Sequence, residues 1–329
     1  MLLWNGLSQV PADFGPSVAS LGNYDGLHRG HQYLIEQVVT IATQTGRSSA
    51  VITFDPHPVT VRNPLAGLAQ VQSLEERLRG LATLGVDAVL VQPYTLEFAA
   101  ISPAEFVRRY LVDGLRATEV VVGHDVRFGA GAAGSLATMV ELGKELGFAV
   151  TALDDQGHKE DESLSRFSSS DVRAALAAGD VTHAARVLGR GHRVSGVVVH
   201  GDHRGHTLGF PTANLGGPIS GFVPADGVYA GWLVRPTLPP GHPDKVLPAA
   251  ISIGTNPTFG GHERRVEAFV PGRIDLQLYD EPVAVEFTRR LRHTLEFKTA
   301  TALVTQMHDD AATALRVLAQ TTRPAGEPL

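Results

Sequence analysis

Two stretches of this sequence place groups that can handle phosphate at close spacing. The first is Gly22-Asn23-Tyr24-Asp25-Gly26-Leu27-His28-Arg29-Gly30-His31. Glycines let a backbone approach a phosphate closely. A helix starting at the end of the stretch adds unpaired N–H groups and a partial positive charge. His28 and His31 are spaced to share one side of its first turn. There, imidazoles can donate hydrogen bonds to a phosphate chain as charge builds in a transition state. The bland alternative is a glycine turn with two surface histidines. The second stretch runs from Gly201 to Leu215 and contains Gly209-Phe210-Pro211-Thr212-Ala213-Asn214. A Gly-rich loop enters a rigid Phe-Pro turn and then two small oxygen-bearing side chains. The Thr212 hydroxyl and Asn214 carbonyl are hard oxygen donors of the kind Mg²⁺ accepts. A strand and turn with incidental polar residues is the plain alternative. Glu267, in Arg265-Val266-Glu267-Ala268-Phe269-Val270, alternates with Val266 and Ala268. It is either a general base or a solvent-facing strand glutamate.

The elements that must position these groups differ between the two halves. In the first half, continuous apolar runs alternate with helical patterns. Strands are expected at Ser17–Gly22, Ala50–Phe54, Ala88–Val91, Thr118–Val122 and Phe148–Leu153. Between them, Leu34, Ile35, Val38, Val39, Ile41 and Ala42 recur at helical spacing before Gly46. Ser73 with Glu76, and Ser102 with Glu105, read as capping boxes, and Leu136–Leu146 is a further helix. This pattern implies a parallel sheet covered on both faces, a doubly wound, Rossmann-like α/β domain. Such sheets bind ligands beyond the carboxyl ends of their strands, where the His28–His31 stretch falls.

Residues 154–165 are polar and charged and are expected to form a mobile loop. Short helices are expected at Asp171–Ala178 and Thr182–Leu188. Beyond Gly189-Arg190-Gly191 strand patterns dominate: Val194–His200, Val228–Val234, Ala249–Ile253, Val266–Val270, Ile274–Leu278 and Val283–Thr288. Gly and Pro punctuate them, which points to a small six-stranded antiparallel β-barrel. A helix at Ala300–Leu318 follows, then a tail expected to be disordered. The domain boundary is placed at 186/187, giving domains of 1–186 and 187–329.

Composition narrows the function classes. The chain has 329 residues, 43% of them hydrophobic and 19% charged, with a net charge of −6 and no cysteine. Disulfides, thiolate zinc sites and cysteine nucleophiles are therefore excluded. Basic residues are scattered, which argues against nucleic acid as a partner. With neither a signal-like N-terminus nor a membrane-length apolar run, a cytoplasmic protein with no membrane association is expected.

The first stretch resembles the HxGH signature of the nucleotidyltransferase superfamily, and Ser168-Ser169-Ser170-Asp171-Val172-Arg173 resembles its SSTxxR-type motif. Thr53-Phe54-Asp55-Pro56-His57-Pro58 and Val122–Gly129 resemble segments of the prokaryotic bifunctional riboflavin kinase/FMN adenylyltransferases, or FAD synthetases. Gly209–Asn214 closely resembles the GFPTAN motif of riboflavin kinases, and Ser252–Gly260 the GxxPTF segment of that family. The resemblance spans about Ser17 to Asp309. The family often has an Arg where this chain has Asp171, a Phe at Val126, and a Gly-Arg pair at Gly205-His206.

The resemblance implies two activities: phosphorylation of riboflavin to FMN by the C-terminal domain, and adenylylation of FMN to FAD, with release of pyrophosphate, by the N-terminal domain. ATP is the substrate of both, Mg²⁺ the cofactor, and FMN and FAD the intermediate and product. It implies that His28, His31 and Arg173 act on the ATP phosphates, and that Gly22, Asn23, Tyr24, Asp25, Gly26 and Ser168, Ser169, Ser170 bind nucleotide. Phe54, Asp55, His57, Asp125, Phe128 and Arg292 would bind flavin. In the barrel, Gly209, Phe210 and Pro211 would contact nucleotide, Thr212 and Asn214 would hold Mg²⁺, and Glu267 would be the base. A monomer or weak homo-oligomer is expected. Three rivals remain: retention of one activity alone, a flavin-binding module with relic sites, and a nucleotidyltransferase for another acceptor.

Overall fold

The computed structural model describes residues 1–154, 167–200, 210–255 and 264–322. The chain divides into two compact units. The first holds Met1–Gln70 and Leu74–Ser168; the second holds Val71–Ser73 and the chain from Ser169 onward.

In the first unit six parallel strands form one sheet: β1 (Leu2–Asn5), β2 (Ser17–Leu21), β3 (Ser48–Asp55), β4 (Ala88–Pro93), β5 (Ala117–Gly123) and β6 (Ala149–Leu153), in the order β1-β4-β3-β2-β5-β6. Every residue of β2 is buried. A central strand covered on both faces needs no polar side, which is why Ser17–Leu21 reads as an uninterrupted small and apolar run. Its two serines satisfy themselves on the neighbouring backbone: Ser17 Oγ donates to Leu115 O at 2.7 Å and Ser20 Oγ to Val121 O at 2.7 Å.

The helices follow from caps and stripes. Helix α1 (Arg29–Thr45) buries Ile35, Val38 and Ala42, a stripe at helical spacing, and ends at Gly46 in the left-handed conformation (φ 63°). Next come α2 (Pro58–Arg62), α3 (Leu74–Thr83), α4 (Leu96–Ala99) and α5 (Pro103–Phe106), which continues into a π-helical segment, Val107–Gly114. Ser102 caps α5 by accepting from Glu105 N at 3.2 Å. Helix α6 spans Leu136–Leu146, its bounds those expected from the sequence.

The second unit begins with α7 (Ser169–Ala178) and α8 (Val181–Leu188). A closed barrel follows: β7 (His192–Val199), β8 (Thr212–Ser220), β9 (Gly227–Val234), β10 (Val246–Thr255), β11 (Arg264–Phe269) and β12 (Pro282–Arg292), in the order β10-β11-β8-β7-β12-β9, with β9 closing back on β10. All of its pairings are antiparallel. Helix α9 (Ala300–Leu318) packs Ala314 and Leu318 on Ala230, Trp232 and Val234 of β9. That cover explains why all of β9 is buried. The barrel closes tightly at Gly231, where a Cβ would lie 2.3 Å from Glu286 O.

Three details differ from expectation. Strand β1 pairs with β4 at the sheet edge although Leu2 and Leu3 are exposed, so it carried no burial pattern to read. Phe54 and Val122 therefore lie on the third and fifth strands, not the second and fourth. Ile274–Leu278 is not a strand of the barrel. Its alternation is genuine, but Ile274 is 80% exposed and Arg273 bonds Asp244 and Asp275 instead of a ladder. The missing barrel strand is β8, whose Gly216-Gly217-Pro218 run masks its signal; a register shift marks this region of the β7 pairing. Of the sequence expectations, the 154–165 loop beyond Asp154, the segment 256–260, Gly205-His206, Gly209 and the tail beyond 322 lie outside the described residues.

Candidate functional site

The glycine stretch of the first unit joins the carboxyl end of β2 to the start of α1. Tyr24 and Leu27 take positive φ values of 50° and 40°, and Gly26 one of 82°. The Tyr24 ring folds beneath Gly22, where a Cβ would meet its Cζ at 2.9 Å; only glycine leaves that space. Tyr24 is buried and its hydroxyl donates to Ser20 Oγ at 2.8 Å. Burial pushes that hydroxyl well above the ordinary tyrosine range, so it stays protonated. Tyr24 is thus the floor of the loop. Asp25 is buried as well.

His28 is the N-cap of α1, its Nδ1 accepting from His31 N at 3.3 Å. An accepting Nδ1 in a neutral ring puts the proton on Nε2, which becomes a donor. The His28 and His31 rings stack with centroids 3.6 Å apart and planes at 19°, and Tyr24 meets His31 edge-on at 5.2 Å. His31 Nδ1 is buried with no hydrogen-bond partner among the described residues. Burial, and then repulsion from Arg77 and from His28 whenever it takes a second proton, hold His31 well below the ordinary histidine range. At neutral pH the pair is a stack with a neutral His31 at a helix start, suited to hydrogen-bonding a phosphate chain without a bulky counter-charge.

Along the carboxyl ends of β3 and β4 lies an aromatic cluster. Phe54 packs at 5.8 Å from Tyr94 and 5.7 Å from Phe98, and Phe98 reaches Phe106 at 6.1 Å, which reaches Phe128 at 6.1 Å. Phe128 is buried; Gly134 admits its ring, since a Cβ there would approach it to 2.7 Å. The sequence reading found Phe54 and Phe128 but not Tyr94, Phe98 or Phe106, which sit outside any motif and are joined to them only by the fold. His57 is buried and caps α2, its Nδ1 accepting from Val59 N at 3.2 Å. Asp55 is half-buried, and Asp125 is exposed beside Gly123.

The serine motif spans the boundary between the units. Ser168 is the last residue of the first, and Ser169, Ser170 and Arg173 open α7 in the second. On the same helix Asp171 pairs with His183 of α8, Nε2 to Oδ2, at 2.9 Å.

In the barrel, β8 and β11 run antiparallel with Asn214 opposite Glu267 and Thr212 opposite Phe269. Residues directly opposite share a face. Their neighbours Ala213, Leu215, Val266 and Ala268 are buried on the other face. The face carrying Thr212, Asn214 and Glu267 extends to Ser252 of β10, opposite Glu267. Asn214 Nδ2 donates to Thr212 O at 3.2 Å and to Thr212 Oγ1 at 3.3 Å. That leaves the Asn214 amide oxygen and the second lone pair of the Thr212 hydroxyl as acceptors, a donor set that fits a hard divalent cation. Among the described residues no cluster of three His, Asp or Glu could hold a metal by itself, so remaining ligands would come from water and a bound nucleotide.

Phe210 is buried against Phe269, centroids 4.8 Å apart, and against His308 of α9 at 4.7 Å. Pro211 and Thr212 line a hollow of ≈ 150 Å³ with Ala268, Arg273, Leu278 and Tyr279. Arg292 is committed to protein groups: Nε donates to Asp310 Oδ1 at 3.0 Å, Nη2 to Oδ2 at 2.6 Å, and Nη1 to His293 O at 2.9 Å. Its guanidinium also stands 5.9 Å from the Phe297 ring. The pairing anchors α9 to the end of β12, and Asp310, which no motif marks, is its other half. No described helix is long and apolar enough to cross a membrane.

Comparison with known proteins follows the same division. Residues 10–168 match the FAD synthetase family and residues 188–318 the riboflavin kinase family. The bifunctional riboflavin kinase/FMN adenylyltransferase of Escherichia coli K12 is 35% identical over 320 residues, covering 97% of each chain. That of Bacillus subtilis 168 is 34% identical, covering 91% of this chain and 92% of its own. The crystal structure of a macrolide-efflux protein from Streptococcus pneumoniae aligns with a TM-score of 0.83 at 28% identity, covering 95% of this chain and 98% of that one.

Proposed function

Since the chain belongs to the bifunctional riboflavin kinase/FMN adenylyltransferase family, FAD synthetase domain first and flavokinase domain second, we propose how its residues divide the two transfers. Riboflavin kinase activity makes FMN in the barrel, and FMN adenylyltransferase activity makes FAD in the α/β domain. ATP is a substrate of both.

In the kinase step a ribityl hydroxyl oxygen bonds the γ-phosphorus of ATP as the bond to the β-phosphate oxygen breaks, and ADP leaves. Glu267 takes the hydroxyl proton. Thr212 and Asn214 would hold Mg²⁺, which supplies charge neutralisation on the phosphates. Phe210 and Pro211, with Gly209, place the nucleotide. The observation that carries this reading is the barrel face on which Glu267 stands opposite Asn214, with Thr212 beside it. A carboxylate base and two hard oxygen donors on one face are what phosphoryl transfer from a metal-bound nucleotide requires.

In the adenylylation step an FMN phosphate oxygen bonds the α-phosphorus of a second ATP, and pyrophosphate leaves. No covalent enzyme intermediate is needed. His28 Nε2 and the α1 start, with His31, stabilise the charge on the bridging and leaving phosphates. Gly22, Asn23 and Gly26 shape the loop, with Tyr24 and Asp25 packed beneath it. We assign Phe54, Asp55, His57, Asp125 and Phe128 to the flavin, and Ser168, Ser169, Ser170 and Arg173 to the nucleotide of the same step. Arg292 is proposed to reach the flavin of the kinase step from its Asp310 clamp.

The functional boundary is proposed at 186/187, and the working form as a monomer or weak homo-oligomer in the cytoplasm, where ATP is supplied. A net charge of −6 supports small-molecule substrates over nucleic acid.

A chromatographic time course with riboflavin, excess ATP and Mg²⁺ tests the reading, run beside a reaction started from FMN. Sequential appearance of FMN and FAD supports both assignments. Accumulation of FMN alone would remove the adenylylation assignment, and absence of any flavin nucleotide from either reaction would remove both.

A further inference from the structure

Arg77 belongs to no motif, yet among the described residues it is the largest fully enclosed side chain, 0% exposed. It projects from α3 to the carboxyl end of β3. Its Nη1 donates to Thr53 Oγ1 at 3.0 Å and to Phe54 O at 3.1 Å. Thr53 Oγ1 in turn donates to Asn23 O at 3.2 Å. One guanidinium nitrogen thus ties α3 and the end of β3, and through Thr53 the glycine loop before α1. Its Nε and Nη2 are buried with no hydrogen-bond partner among the described residues.

That arrangement is costly. Each unpaired buried donor forfeits the hydrogen bonds it made to water, and an apolar side chain of similar volume often stabilises a core better than a buried ion does. Stability alone is therefore a poor reason for an arginine here. The surrounding charges give a better one. The carboxylates of Asp25, in the loop, and Asp55, at the strand end, both favour its charged form against the burial that disfavours it. Its charge in turn adds to the burial and the His28 field that keep His31 neutral.

We propose that Arg77 is a positioning residue for adenylyl transfer, holding the Gly22–Gly26 loop and the end of β3 in register through Thr53 so that His28 and His31 meet the ATP phosphates. The proposal rests on the adenylyltransferase reading of the first unit. Arg77 acts through Thr53, Phe54 and Asn23 and touches no substrate.

The test uses the full chain carrying Arg77→Met, Arg77→Lys or Thr53→Val. FMN adenylylation is assayed with supplied FMN and riboflavin phosphorylation with supplied riboflavin, and thermal unfolding is followed in parallel. In the FMN assay, Arg77→Met is expected to lower kcat about 10- to 100-fold, as loss of alignment does. KM for ATP should change less, and riboflavin phosphorylation should stay at the wild-type rate. Arg77→Lys, which keeps the charge and a donor, should recover part of kcat. Thr53→Val cuts the link to the loop with Arg77 in place and should lower the same kcat; it keeps the test decisive if Arg77→Met does not fold. Wild-type adenylylation kinetics in Arg77→Met, or in Thr53→Val where the former does not fold, would overturn the proposal. So would equal loss of both activities in step with lowered unfolding temperature. If the wild-type chain itself makes FMN but no FAD, the adenylyltransferase reading fails first, and the proposal with it.

Discussion

Glu267 on β11 stands directly across the ladder from Asn214 on β8, and Asn214 in turn donates to the Thr212 hydroxyl on its own strand. A carboxylate and two neutral oxygen donors are thereby held on one barrel face by strand register alone. Replacing Glu267 by Gln keeps the shape and removes the base. FMN formation is expected to fall about 10²- to 10⁴-fold. FAD formation from supplied FMN should be unchanged, and chromatography of the two half-reactions separates the effects.

Asn214→Ala removes an amide oxygen from the proposed cation site and the hydrogen bonds that orient Thr212. The expected result is a higher Mg²⁺ concentration for half-maximal FMN formation, with a smaller change in KM for riboflavin. A Mg²⁺ titration of the initial rate measures it. An unchanged Mg²⁺ requirement would remove Asn214 from the proposed metal site.

The stacked His28–His31 pair makes the opposite cut. His28→Ala removes the Nε2 donor and the cap of α1, and FAD formation should fall about 10²- to 10³-fold while riboflavin phosphorylation persists. The pH profile carries a further sign. Because His31 is held well below the ordinary histidine range, it remains neutral between pH 6 and pH 7. His31 should therefore contribute no inflection near 6.5, the ordinary value for histidine, to the adenylylation profile, and His31→Ala should leave any inflection there in place.

His192 offers a stability test away from both sites. It is 2% exposed, and its Nε2 contacts Phe222 O at 2.6 Å. Burial lowers its pKa to about 4, against the opposing pull of that hydrogen bond. The folded protein therefore excludes a proton that the unfolded chain takes up below about 6.5. The stability from neutral His192 is fully present above the unfolded value and is lost as pH falls from there towards 4. The loss is about 3 kcal/mol. Urea unfolding at pH 7 and pH 5 should show the loss, and His192→Gln, which keeps a donor for Phe222 O, should flatten it.

Gly134→Ala would drive a Cβ to 2.7 Å from the Phe128 ring. Overpacking of this kind costs about 1–3 kcal/mol, which a thermal melt will register. If Phe128 lines the flavin pocket, as proposed, KM for FMN should rise as well, with riboflavin phosphorylation unaffected.

How much of this was legible follows from how local each signal is. The α1 start is written within a few residues: a short strand, glycines, a capping histidine, an apolar stripe and a glycine stop. Leu136–Leu146 and Ala300–Leu318 were equally readable, because a helix carries its own period. The barrel strands were harder. Ile274–Leu278 alternates as a strand does, yet Ile274 faces solvent, while β8 hides behind Gly216-Gly217-Pro218 and is a strand because β7 and β11 pair with it. Strand pairing is a property of neighbours, and no window of sequence contains them.

The sequence by itself determined the two motif-bearing domains, their order, and the local settings of His28, His31, Thr212 and Asn214, the residues proposed to handle phosphate. Those residues sit at turns and element starts, where local backbone chemistry dictates the residue type. Only the tertiary structure decided what lies around them. Arg77 reaches Thr53 across 24 positions and Arg292 reaches Asp310 across 18. Phe54 and Phe128 are joined through Phe98 and Phe106. Burial created these relationships: a guanidinium or carboxylate taken out of water must find whatever opposite charge or oxygen the packing brings near, and that partner is set by the path of the chain in space, not by its order.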